Sequence, residues 1–162
     1  PYVTYDEIAR SGPWVEHRDH VHKFALRYPA EWPDPMTLER GAYEGSVPAQ
    51  TSDWRVYLGP TLECAGYGEC LERKFALDGF SPDLKRSILQ ELDTNPSVTI
   101  ISDRQGDGPR TVVFEEPGIC IHRGALIFGR KTIYRLGAVC GGSVPSQARM
   151  LQRLLERFEI LQ

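Results

Sequence analysis

The run Gly118-Ile119-Cys120-Ile121-His122-Arg123-Gly124-Ala125-Leu126-Ile127-Phe128-Gly129-Arg130-Lys131-Thr132-Ile133-Tyr134-Arg135-Leu136-Gly137-Ala138-Val139-Cys140 reads as a β-hairpin, two apolar segments either side of a Gly-Arg-Lys turn. With a three-residue loop Gly129-Arg130-Lys131, Phe128 pairs with Thr132, Leu126 with Tyr134, Gly124 with Leu136, His122 with Ala138 and Cys120 with Cys140. Opposed residues of a non-hydrogen-bonded antiparallel pair lie about 4.5 Å apart at Cα, near the lower limit that a disulfide spans. This register predicts a Cys120–Cys140 bond and leaves Cys64 with Cys70, one of three pairings that four cysteines allow. Leu126, Phe128, Tyr134 and Leu136 then share one face, and Ile119, Ile121, Ile127, Ile133 and Val139 the other. A hairpin apolar on both faces belongs to a sheet that is covered twice.

The covers are amphipathic helices. Ser81-Pro82 has the form of an N-cap followed by proline in the first turn, and Leu84, Ile88, Leu89 and Leu92 follow at helical spacing until Asn95-Pro96. A second helix begins near Ser143 or Val144 and carries Ala148, Leu151, Leu154, Leu155 and Phe158 on one stripe. Alternating patterns predict strands over 22–28, with Phe24, Leu26 and Tyr28 on one face, and over 53–58. Further strands are predicted over 98–102 and 110–115, and a weaker one over 36–44. Residues 59–80, with four Gly and two Cys, read as a long loop stapled by Cys64 and Cys70. The expected fold is α+β: a central, mostly antiparallel sheet flanked by helices, an α/β/α sandwich. One domain is expected over 1–162, with 1–19 as an arm or short helix and 20–162 as the core.

At 162 residues, with 41% hydrophobic and 25% charged side chains, the chain has the composition of an ordinary globular domain. A formal charge of −3 argues against nucleic acid or a delocalised basic field for anionic lipid, and no apolar run is long enough for a membrane-spanning helix. The spacings Cys-x5-Cys and Cys-x19-Cys lack the Cys-x-x-Cys of a structural zinc site, so an even count of four favours disulfides and an exported, periplasmic or cell-surface chain. Pro1 is no initiator, and an expected signal segment, or an anchor before residue 1, is absent from the sequence given.

Two local signatures resemble the PsbP-like superfamily of α/β/α sandwich domains, which includes bacterial lipoprotein-type members. One is Phe24-Ala25-Leu26-Arg27-Tyr28-Pro29-Ala30-Glu31-Trp32; the other is the closing order of a strand with Tyr134-Arg135-Leu136, a helix from Ser143 to Leu155, and Phe158. The resemblance implies an exported accessory or binding domain whose partner is another protein or an envelope component. It supplies no catalytic residues, so none is assigned. Tyr28, Pro29 and Trp32 match it structurally: Pro29 ends a strand and Trp32 covers its end. The four cysteines and the Gly-rich segment near Cys64 depart from the family pattern.

Two alternatives to a non-enzymatic binding domain remain. His17, His20 and His22, with distant His122, could hold zinc or copper, with His20 and His22 on one strand face; the plainer reading is of exposed polar residues leading into a strand. A hydrolase would need a nucleophile that no motif supplies: Ser81 is explained by capping, and the neighbours Glu115 and Glu116 point to opposite faces of a strand. Tyr67, Tyr57 and Trp54, in or beside the irregular central third, are candidates for an exposed binding surface, against the alternative that they pack over one end of the sheet.

Overall fold

The computed structural model describes residues 12–39, 47–61, 73–117, 122–138 and 144–162. Within these, strands β1 (Trp14–Asp19), β2 (Phe24–Pro29), β3 (Met36–Glu39), β4 (Trp54–Thr61) and β5 (Arg73–Phe80) lead to helix α1 (Lys85–Thr94). Strands β6 (Thr99–Arg104), β7 (Arg110–Glu116), β8 (His122–Phe128) and β9 (Ile133–Ala138) follow, then helix α2 (Val144–Glu156) and a short β10 (Phe158–Ile160). Seven strands form one sheet in the order β3-β4-β5-β9-β8-β7-β6, and β1-β2-β10 form a second. Every pairing is antiparallel. The α+β expectation of a large antiparallel sheet with helices packed on it is what the chain adopts, with the small sheet as an added element.

Both faces of the large sheet are buried, as the twice-apolar hairpin requires. On one face, Trp54, Val56, Leu58, Phe75, Leu77, Tyr134 and Leu136 meet Phe24, Leu26 and Tyr28 of the small sheet and Met150, Leu151 and Leu154 of α2. On the other, Phe80, Val112, Phe114, Leu126, Phe128 and Ile133 meet Ile88 and Leu92 of α1. The first helix starts as expected: Ser81 Oγ accepts from the Asp83 amide at 3.3 Å, Pro82 opens a 3-10 turn, and α1 continues from Lys85 to its C-cap at Asn95. Trp32 is buried and stacks on Phe75, with centroids 5.8 Å apart.

The hairpin register differs by one residue. Phe128 pairs with Ile133, Ile127 with Tyr134, Leu126 with Arg135 and Gly124 with Gly137, so the loop is Gly129 to Thr132. Tyr134 and Leu136 therefore share a face with Ile127, while Leu126 and Phe128 share theirs with Ile133. The register that set Cys120 opposite Cys140 no longer holds, and the proposed bond loses that argument. All four cysteines lie outside the described residues, as does Tyr67.

Three strands stand where the sequence predicts other structure. Residues 14–19, read as part of an arm or short helix, form β1; residues 1–11 of that stretch lie outside the described residues. Residues 73–80, read as the end of a stapled loop, form β5, paired on both sides near the centre of the large sheet. Phe158, expected at the end of a helical stripe, begins β10 against Leu26. Gly79 in β5 has a packing reason to lack a side chain: a Cβ there would lie 2.0 Å from Cε2 of Trp54, whose indole covers the glycine.

Candidate functional site

The densest polar constellation near the histidine-rich segment is the turn between β1 and β2. Asp19 makes the turn itself, its Oδ1 accepting from the amides of Val21 and His22 at 2.9 Å each. Its Oδ2 lies 2.8 Å from His22 Nδ1, and the other imidazole nitrogen, Nε2, lies 3.0 Å from Glu39 Oε1 at the end of edge strand β3. The imidazole is thus held between two carboxylates while its ring lies against Trp54, centroids 4.4 Å apart. Lys23 closes the turn with φ 62°, a left-handed conformation uncommon for a side-chain-bearing residue. That geometry is held from outside: Tyr134 Oη lies 3.0 Å from both the His22 and Lys23 carbonyls, and the Leu161 amide donates to the Lys23 carbonyl at 2.9 Å.

One clasp therefore joins the small sheet, the edge of the large sheet, the central strand β9 and the C-terminal segment. His22 and Asp19 have side chains only 9% and 12% exposed, whereas Glu39 is 63% exposed. Burial pushes the Asp19 carboxyl up, but the His22 hydrogen bonds and charge and the Val21 amide outweigh it, so its pKa sits below the ordinary 3.8. The folded chain thus favours the carboxylate. This stabilisation is present above the unfolded-state value and is lost as pH falls through the lower folded one. Asp19→Asn is expected to destabilise the protein at neutral pH, with the difference from the parent shrinking as pH falls below the ordinary carboxylate value of 3.8. Urea unfolding along that titration measures it, and a difference that persists undiminished in acid contradicts the assignment.

The structure separates the proposed metal ligands. His22 lies in the turn rather than on a strand face with His20, which is exposed. His17 sits on β1 with Nε2 buried and lacking a hydrogen-bond partner among the described residues, its ring 5.8 Å from Phe24. His122 opens β8, with Nδ1 3.4 Å from the Ala138 carbonyl. It precedes Ile127, the residue paired with Tyr134, by five positions, or about 17 Å at ~3.3 Å per residue. Among the described residues no three His, Cys, Asp or Glu side chains converge as a metal set. Of the proposed surface aromatics, Trp54 is 6% exposed and lies in the core, so it forms no exposed surface. Tyr57 is half-buried on the opposite face, under the Arg55 guanidinium at 5.5 Å.

A second constellation escaped the sequence reading. Asp78 of β5 is 1% exposed and lies between Arg55 of β4 and Arg135 of β9. Arg55 Nε and Nη2 donate to its two oxygens at 2.6 and 3.1 Å, Arg135 Nε donates to Oδ2 at 3.0 Å, and Arg135 Nη1 reaches the Val47 carbonyl at 2.9 Å. Three adjacent strands are cross-linked by one buried carboxylate. The signal was an Asp with Phe75 and Leu77 before it and Phe80 after it.

A third feature is a cleft of about 450 Å³ between α1 and the β6–β7 edge of the sheet. Leu89, Leu92, Ile100 and Val112 supply its apolar lining, and Gln90, Asp93 and an Asp103–Arg110 pair its polar one.

No family model matches the chain, and no curated protein matches it. Among solved structures it is similar to cyanobacterial PsbP from Synechocystis, at 13% identity and a TM-score of 0.48 over 93% of this chain and 95% of that one. It is also similar to a protein from Bacteroides thetaiotaomicron, at 13% identity and a TM-score of 0.46, over 91% of this chain and 48% of that longer one. A protein of unknown function from Pseudomonas aeruginosa is similar at 10% identity and a TM-score of 0.39, over 90% and 95%. PsbP, the family that the sequence motifs resemble, is thus among the structures similar to this chain. No helix among the described residues is long and apolar enough to cross a membrane.

Proposed function

We propose that this chain is a non-enzymatic accessory domain, exported to an oxidising compartment, that binds another protein or an envelope component. The observation that carries the binding reading is the cleft beside β6, lined by Leu89, Leu92, Val112 and Ile100, the last 43% exposed, with Ile101 next to it in the strand 44% exposed. Apolar side chains left half in water around a cleft are what a partner covers. Support for export comes from Cys64, Cys70, Cys120 and Cys140, an even set without metal-site spacing, read as two disulfides with their pairing open. The metal reading falls behind because His22 already has a carboxylate at each ring nitrogen and no three metal-ligating side chains converge among the described residues.

The test is to fractionate the source cell and size the native envelope fraction, following the domain by antibody. The expected result is recovery outside the cytoplasm in an assembly larger than the 18.3 kDa chain. Recovery with cytoplasmic markers overturns export, and elution entirely as the free chain overturns binding.

A further inference from the structure

We propose that the α1–β6 cleft takes an extended segment of a partner protein, added as an eighth strand on the outer side of β6, with alternate apolar side chains entering the cleft and a basic residue near Asp93. The inference rests on the binding-domain reading and specifies its partner.

The first observation is topological. β6 ends the large sheet, and no described strand pairs with its outer side, so its outward backbone N–H and C=O groups form a row that an extended chain can match. Natural edges are usually blunted by charge, and β6 is charged only at its end, in Asp103 and Arg104; its first half is Thr99-Ile100-Ile101. The ladder with β7 shifts register between Ile100 and Ser102. This irregularity shortens the regular edge, so backbone pairing alone would hold a partner weakly and side chains must add to it.

The second observation is where those side chains would go. Ile100 pairs with Phe114, and Asp103 with Val112, so both project on the face that α1 covers. The helix leaves the β6 side of that face open, and the gap is the cleft floored by Leu89, Leu92, Ile100 and Val112. Every second side chain of a strand added beside β6 lies over this face. The unpaired backbone edge beside the cleft, not the cleft's volume, selects an extended occupant.

The third observation is charge. Asp103 is neutralised by Arg110, which donates to its two oxygens at 3.0 and 2.7 Å. Asp93 has no ion-pair partner among the described residues and stands in the last turn of α1, where the helix dipole adds partial negative charge. A cation on the occupant matches that end of the cleft.

The test is amide-shift mapping of the ¹⁵N-labelled full chain with a capped hexapeptide that alternates valine with serine and carries arginine at its amino end. Saturable shifts are expected over Thr99–Arg104 and Leu89–Asp93. Ile100→Glu, at a half-exposed position, is expected to weaken binding about tenfold with the fold intact by circular dichroism. A peptide N-methylated at alternate amides is expected not to bind, and Asp93→Lys to prefer a glutamate-bearing peptide over the arginine one. Shifts absent from β6 up to millimolar peptide, equal binding of the N-methylated peptide, or β6 shifts explained by dimerisation of the chain overturn the proposal. Peptide binding at another surface overturns this site and leaves the binding-domain reading standing; the native-size experiment above tests that reading separately.

Discussion

Asp78→Ala is expected to lower the unfolding free energy by about 3–5 kcal/mol, because it leaves two guanidiniums in a protein interior with their shared counter-charge removed. Arg55 and Arg135 side chains are only 13% and 8% exposed, so water cannot replace the lost carboxylate without opening the sheet. The ion cluster itself need not be a net source of stability, since desolvating three charges offsets much of their attraction. The same physics therefore predicts that Asp78→Val combined with Arg55→Met and Arg135→Leu recovers most of the loss. Urea unfolding of both variants separates the two effects; equal destabilisation of the single and triple variants would show that the strands depend on the ions themselves.

Tyr134→Ala is expected to cost a similar ~3–5 kcal/mol, the range for deleting a buried aromatic ring. The ring is 1% exposed and meets Trp54 and Phe158 edge-on, with centroids 6.0 and 5.1 Å away. Its hydroxyl also holds the β1–β2 turn from the far sheet. Tyr134→Phe keeps the ring and removes the bond to the His22 and Lys23 carbonyls, at an expected cost of about 1 kcal/mol. The conservative variant should also increase hydrogen exchange in the turn at His20 to Lys23 while leaving β8 and β9 protected. Uniform loss of protection across the large sheet would contradict a local anchoring role.

The elements most legible in the sequence were those with one strong period and a clear end. The Ser81-Pro82 start and Asn95-Pro96 stop located α1 to within a few residues, and the alternation correctly put Phe24, Leu26 and Tyr28 together in the core. The hairpin was placed correctly but slipped by one residue for a physical reason. Where both faces of a strand are buried, moving every side chain to the other face carries no hydrophobic penalty, so the pattern fixes the existence of the pair and leaves the turn to fix its register. Here the turn takes in Thr132; the Gly129 amide bonds to the Ile127 carbonyl, and a Cβ on Gly129 would lie 2.6 Å from the Thr132 carbonyl oxygen. β5 was missed because Asp78 and Gly79 are read locally as turn residues. Their justification is tertiary, two arginines from neighbouring strands and an indole covering the glycine. β1 was missed because an edge strand such as Trp14-Val15-Glu16-His17-Arg18-Asp19 buries too little to show a period.

The candidate sites divide along the same line. The histidine segment did contain a built constellation, but its partners were illegible: Glu39 is seventeen positions from His22, and Tyr134 is 112. The segment's role is to clasp two sheets, with Asp19 orienting the imidazole through a bond three positions away. The α1–β6 cleft gave no motif because it is made of ordinary helix and strand residues left uncovered on one side.

Export to an oxidising compartment is the part of the proposal on which the cysteines report directly. Mass spectrometry of the chain isolated from its source cell, alkylated under denaturing conditions without reductant, counts the thiols at Cys64, Cys70, Cys120 and Cys140. The account predicts no alkyl adduct before reduction and alkylation at all four cysteines after it. Four adducts before reduction would contradict export and remove the disulfide staples with it.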